Sequence, residues 1–122
     1  MEQKTVSLQE LMELCKLLDE KHGFPVRFED QSQKYNQVTK DLVGLFGEIG
    51  EFSNIIKKIN IKIEKHDGYD LDLPKAEHHL KEEIADSLIY LIRIANILEI
   101  DLTTEINNKI ERNKIRYGKH EQ

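Results

Sequence analysis

Residues 44–51 read Gly44-Leu45-Phe46-Gly47-Glu48-Ile49-Gly50-Glu51, inside a segment whose apolar residues recur at helical spacing. A glycine in a helix interior costs roughly 1 kcal/mol relative to alanine, so three in one stretch need a reason. The two acids are three residues apart, which on a helix sets them about 60° apart on one face. Helical side chains lean back over the preceding turn; four residues before Glu48 and Glu51 stand Gly44 and Gly47. The spacing predicts two carboxylates reaching over turns without side chains, with room for a bound group. Gly50 points the other way, where a second helix could approach.

Working outward, Val38, Leu42, Leu45, Ile49, Phe52, Ile56 and Ile59 place this stretch on a helix from about Gln33 to Glu64, with a possible break near Lys58 to Asn60. Upstream, Ser7 followed by Glu10 is a capping box. Leu8, Leu11, Met12, Cys15 and Leu18 then repeat at helical spacing to Lys21, and Gly23 ends that helix. Phe24 to Ser32, with Pro25, is a connector. Downstream, His66 to Pro74 is a loop, and Pro74 or Lys75 opens a third helix running to about Glu99. From Ile84 to Leu98 that helix is apolar nearly all round, as in a helix buried on several sides. Asp101 caps a fourth helix through Leu102, Ile106 and Ile110 to Tyr117, and Gly118 stops it. With no strand-like alternation, the expected class is all-α, a four-helix bundle in one domain spanning residues 1–122.

Composition narrows the function. The chain holds 23 acidic against 18 basic residues, a net charge of -5, which disfavours a nucleic-acid binder. The single cysteine, Cys15, excludes an internal disulfide, suits a reducing compartment and reads as core. The first ten residues carry no apolar signal region. The most apolar run, Ile84 to Ile100, is interrupted by Asp86, Arg93, Asn96 and Glu99 and is too short and polar to span a bilayer. The expectation is a soluble cytoplasmic protein acting neither on nucleic acid nor at a membrane.

The third helix repeats the acid spacing. Glu83 and Asp86 are three apart, and Tyr90, one turn on, shares their face. An acid between Ala85 and Leu88 needs compensation, and four carboxylates from two facing helices would repel unless cations neutralised them. A hard divalent ion with oxygen ligands is the natural solution, magnesium first. His78 and His79 are adjacent, so only one could face the acids, and no Glu-x-x-His pair suggests a di-iron bundle. One ExxE or ExxD alone is usually a solvated helix face; two on separate helices among apolar residues point to a metal site. On the fourth helix, Asn113 and Tyr117 continue the apolar stripe, with Lys109 and Arg116 along its border. These cations complement a helix C-terminus, or they form an anion site beside the metal.

At these residues the chain resembles the MazG-like all-α nucleoside triphosphate pyrophosphohydrolases, the group that includes the dCTP pyrophosphatases. The family's order of an ExxE helix, an ExxD helix and a helix with lysine and asparagine reads here as GEIGE at 47–51, EEIADSLIY at 82–90 and KIERNKIRY at 109–117. The resemblance implies Glu48, Glu51, Glu83 and Asp86 as magnesium ligands, with manganese a substitute. It implies Tyr90, Lys109, Asn113, Arg116 and Tyr117 as contacts to phosphate or sugar. It also implies hydrolysis of (deoxy)nucleoside triphosphates to monophosphate and pyrophosphate, house-cleaning of the nucleotide pool, and a homodimer or homotetramer. The dCTP-preferring members place tryptophans near the base; this chain has none. Phe28, in the connector, is the expected base contact, with a deoxynucleotide substrate and loose base discrimination. A non-catalytic magnesium- and nucleotide-binding module, or a structural helical oligomer, would carry the same residues without turnover.

Overall fold

The computed structural model describes residues 5–65 and 68–118, and these form four helices: α1 (Leu8–Lys21), α2 (Gln31–Lys65), α3 (Leu73–Ile97) and α4 (Leu102–Gly118). No strand occurs among the described residues, so the all-α expectation holds. The helix starts follow from local chemistry. The Ser7 hydroxyl accepts from the Glu10 amide at 3.1 Å while the Glu10 carboxylate accepts from the Ser7 amide at 3.4 Å, which completes the capping box. Asp72 caps α3 through the Lys75 amide at 3.2 Å, and Asp101 caps α4 through the Thr104 amide at 3.1 Å.

Besides α3 opening at Leu73, just before Pro74, three features of the helices differ from the sequence reading. α2 begins at Gln31 because Asp30 takes the Ser32 amide at 2.9 Å and the Lys34 amide bonds the Asp30 carbonyl at 3.0 Å. It then runs unbroken to Lys65, with no interruption near Lys58 to Asn60; neither proline nor glycine is there to break it. α3 ends at Ile97, where Glu99 takes a left-handed turn (φ 57°) and the Ile100 amide bonds the Ala95 carbonyl at 2.9 Å, a helix stop usually given to glycine. Of the expected 66–74 loop, His66 and Asp67 lie outside the described residues; in the remainder the Tyr69 carbonyl accepts from Lys62 at 2.9 Å.

The main packing is α2 against α3, with α1 laid on α3 and α4 on α1. Two small clusters make the core. Met12, Ile92 and Ala95 gather Leu8, Cys15 and Leu102; Val26, Val38 and Ile97 gather Phe28, Leu42, Ile94 and Leu98. Cys15 is therefore a packing residue, and burial followed by the nearby Asp19 charge pushes its thiol up, away from reactivity. The apolar girdle of α3 is only partly covered: Ile92 and Ala95 are buried, whereas Ile84, Leu88, Ile89 and Leu91 stay exposed. α4 buries no residue fully, and Ile106, Ile110 and Ile115 face outward.

One charged cluster crosses the three packed helices. Arg93 of α3 donates from Nε and Nη2 to both Asp19 oxygens of α1 at 3.2 and 3.0 Å, and its Nη1 lies 3.6 Å from Asp41 of α2. Gln37 donates to Asp41 at 3.3 Å. Both aspartates are buried. Burial alone would lower the Arg93 guanidinium, yet Asp19 and Asp41 outweigh it and hold it above its usual value. Burial pushes the Asp41 carboxyl up, against the pull of Arg93.

The glycines of α2 resolve into different uses. A Cβ on Gly44 would stand 2.5 Å from the Tyr90 ring of α3, whereas nothing lies within 4 Å of a Cβ on Gly47 or Gly50. Gly44 clears space for an aromatic ring, and among the described residues no helix comes close at Gly50. Gly47→Ala should therefore gain helix propensity and raise stability in urea unfolding by roughly 0.5–1 kcal/mol. Gly44→Ala must displace Tyr90 and should fall at or below wild type; the reverse order would contradict this packing.

Candidate functional site

Helical spacing puts Glu48 of α2 and Glu83 and Asp86 of α3 on the facing sides of the main helix pair. One carboxylate oxygen from each can be chosen so that all lie within 4.8 Å of one another. Glu83 Oε2 is buried with no hydrogen-bond partner. Proton sharing with Glu48, then burial, then the charges of Glu48 and Glu51 push the Glu83 carboxyl up to about 7. A carboxyl held that far above its ordinary range, with an orphaned oxygen and acids as its neighbours, suits a hard cation with oxygen ligands. These three side chains could hold a divalent ion. Glu51 is exposed and outside the triplet, near enough for its charge to bear on Glu83.

Hollows open on either side of the acids. One, of about 330 Å³, is lined by Glu51, Asn54, Ile55, His79, Glu82 and Glu83. His79 thus faces the acidic side, while His78 pairs with Glu82 at 2.9 Å. The other, of about 340 Å³, is lined by Phe24, Glu48, Asp86, Ile89, Tyr90 and Arg93. Phe24 reaches it because Gly23 turns left-handed (φ 81°) at the end of α1 and the Phe24 amide bonds the Asp19 carbonyl at 2.8 Å. A larger hollow of about 400 Å³ over the connector, around Pro25 and Arg27, holds none of the paired acids.

The structure brings Glu48, Glu83, Asp86 and Tyr90 together, with Glu51 alongside. Phe28 packs with Val26, Val38 and Ile97, so its ring contributes to the core; the connector ring lining the acidic hollow is Phe24. Lys109, Asn113, Arg116 and Tyr117 lie on α4, which packs on α1 and has no comparable interface with α2. Within the chain they form a separate surface, where Asn113 and Tyr117 line a hollow with Ile110 and Lys114. The sequence reading missed Asp19, Asp41 and Arg93. Its available signal was three charges of opposite sign on otherwise apolar helix faces, Arg93 between Ile92 and Ile94 being the clearest.

This arrangement of two acid-bearing helices defines a class. Residues 33–119 match the MazG nucleotide pyrophosphohydrolase domain, and the chain belongs to that family. It is 31% identical over 88 residues to dCTP pyrophosphatase 1 of Rattus norvegicus and of Mus musculus, and 30% identical over 88 residues to that of Homo sapiens. Each match covers 72% of this chain and 50% of the relative, so the chain spans about half the length of the curated relatives it matches.

Crowded acids make the bare site sensitive to both metal and pH. Glu83 binds its proton more tightly folded than unfolded, so its contribution to stability is lost as pH rises from 4.5 towards about 7. Thermal melts of metal-free protein should show this loss. Magnesium should raise the melting temperature at pH 7.5, by mass action on the folded state. Glu48→Gln should flatten the pH dependence and remove the magnesium increment; an unchanged increment would exclude Glu48 as a ligand.

Proposed function

We propose that the chain hydrolyses (deoxy)nucleoside triphosphates to the monophosphate and pyrophosphate in a magnesium-dependent reaction, as house-cleaning of a nucleotide pool. The observation that carries this reading is the meeting of Glu48, Glu83 and Asp86 beside an aromatic-lined hollow. Family membership supports it, as do relatives named for dCTP pyrophosphatase activity.

Each residue has a task in that reaction. Glu48, Glu83 and Asp86, with Glu51 completing the set, hold the cation, magnesium or in its place manganese. When bound, the cation neutralises phosphate oxygens and makes water more acidic. Glu51, an exposed neighbour of Glu83, takes or orients the proton of the water that attacks the α-phosphorus. Tyr90 and Phe24 flank the nucleoside. Lys109, Asn113, Arg116 and Tyr117 meet the phosphate chain, and Lys109 offsets charge developing on departing pyrophosphate. Pyrophosphate release from a panel of NTPs and dNTPs, with and without magnesium, tests this. Glu48→Gln and Asp86→Asn should each lower turnover by at least 100-fold, on the order of 3 kcal/mol, while remaining folded. Binding of nucleotide without any release would favour a non-catalytic binding module instead.

The chain is also proposed to act as a symmetric homodimer or homotetramer. Exposed Ile84, Leu88 and Leu91 on α3 and Ile106, Ile110 and Ile115 on α4 form more apolar surface than a soluble monomer usually leaves open. Assembly would bring α4 with its cations to the phosphate chain. Sedimentation at micromolar concentration should give a multiple of 14.3 kDa; a stable monomer would reject this assembly.

A further inference from the structure

The hollow lined by Phe24, Glu48, Asp86, Ile89, Tyr90 and Arg93 contains one cation, and it is presented in an unusual way. Arg93 is fixed from behind by two buried aspartates and lies against aromatic faces. Its guanidinium carbon is 4.5 Å from the Phe24 ring centroid and 5.7 Å from that of Tyr90. Of its five N–H groups, those spent on Asp19 are one on Nε and one on Nη2. Nη1 is 3.6 Å from Asp41, an ion pair longer than a hydrogen bond. Among the described residues the other N–H groups on Nη1 and Nη2 make no hydrogen bond within 3.5 Å, and the side chain that carries them lines the hollow.

A surface cation here would read as a second phosphate site. Arg93 does not, because Asp19 and Asp41 together more than cancel its charge. What remains is a rigid set of directed donors, suited to a neutral acceptor such as a carbonyl oxygen. A guanidinium has no acceptor, so an amino group turned towards it would leave donor facing donor. Sites built on buried directed hydrogen bonds discriminate strongly, since the wrong partner leaves them unpaired.

We infer that Arg93 is the base-reading residue of this hollow, and that it selects nucleobases presenting a keto oxygen over those presenting an amino group at the same edge. Thymine, uracil and guanine belong to the first group, cytosine and adenine to the second. This rests on the nucleotide reading of the acidic site, which places the triphosphate at Glu48 and Asp86 and so the base among Phe24, Tyr90 and Arg93. It replaces the loose base discrimination expected from aromatic stacking alone with a dedicated polar readout.

The experiment compares kcat/KM for dTTP, dGTP, dCTP and dATP, with magnesium, in wild type and in Arg93→Lys, which keeps the charge and loses the planar fork. Wild type should favour dTTP and dGTP by roughly tenfold or more. A folded Arg93→Lys should lose that ratio, mainly through KM for the keto substrates. In parallel, calorimetric titration of wild type with dTMP, dGMP, dCMP and dAMP needs no variant and should give the same order. If no triphosphate is hydrolysed the reaction assignment fails, while the monophosphate titrations still decide the base reading. Tighter binding or faster turnover of the amino bases, or an unchanged ratio in folded Arg93→Lys, overturns it.

Discussion

Along the seam between α2 and α3, Glu48 meets Glu83 and Asp86 with carboxylate oxygens within 4.8 Å, and Glu83 responds by holding its proton to about pH 7. Like charges gathered in this way work against folding of the bare chain. They stay together because the same two helices are joined elsewhere by apolar packing that does not depend on the acids: Val38 and Leu42 of α2 against Ile94 and Ile97 of α3. Gly44 leaves room for the hydroxyl end of the Tyr90 ring against α2, one turn from Glu48. The site is thus a local conflict sustained by a neighbouring core, the usual condition of a functional centre.

A second electrostatic arrangement has the opposite character. Arg93 pairs with buried Asp19 and lies 3.6 Å from buried Asp41, whose Oδ2 has no hydrogen-bond partner among the described residues. Removing one member of such a group costs about 3–5 kcal/mol, because the remaining charge is left buried. Arg93 also faces the hollow that the acids face. The cluster therefore ties α1 to the α2–α3 pair and fixes the wall of the site in the same contacts. Phe24 belongs to this unit too, carried there by the left-handed turn at Gly23.

Exposure is distributed unevenly around α3. The side facing α1 is closed by Met12, Ile92 and Ala95, whereas Ile84, Leu88 and Leu91 remain open, as does the stripe of α4. The described core is small for a chain of this length. The proposed assembly would both cover the open faces and deliver the cations of α4 to the acids.

The sequence by itself determined the four helices, the caps at Ser7 and Asp101 and the acid pairs, because each depends on short-range chemistry. Ser7 with Glu10, Asp101 before Leu102, and Glu83 three residues before Asp86 act within one or two turns. The juxtaposition of Glu48 with Glu83 and Asp86 was legible as well, since two helices with matching acid spacing among apolar residues have few ways to pack. Only the tertiary structure decided which connector ring reaches the site. Phe24 and Phe28 are similar residues in similar surroundings by sequence, and the turn at Gly23 sends one to the hollow and the other to the core. It likewise decided that Gly44 serves Tyr90, and that Arg93 finds Asp19 and Asp41 on two other helices. The partners of Arg93 lie 74 and 52 positions away in the chain, and no local pattern encodes a contact made only when three helices have come together.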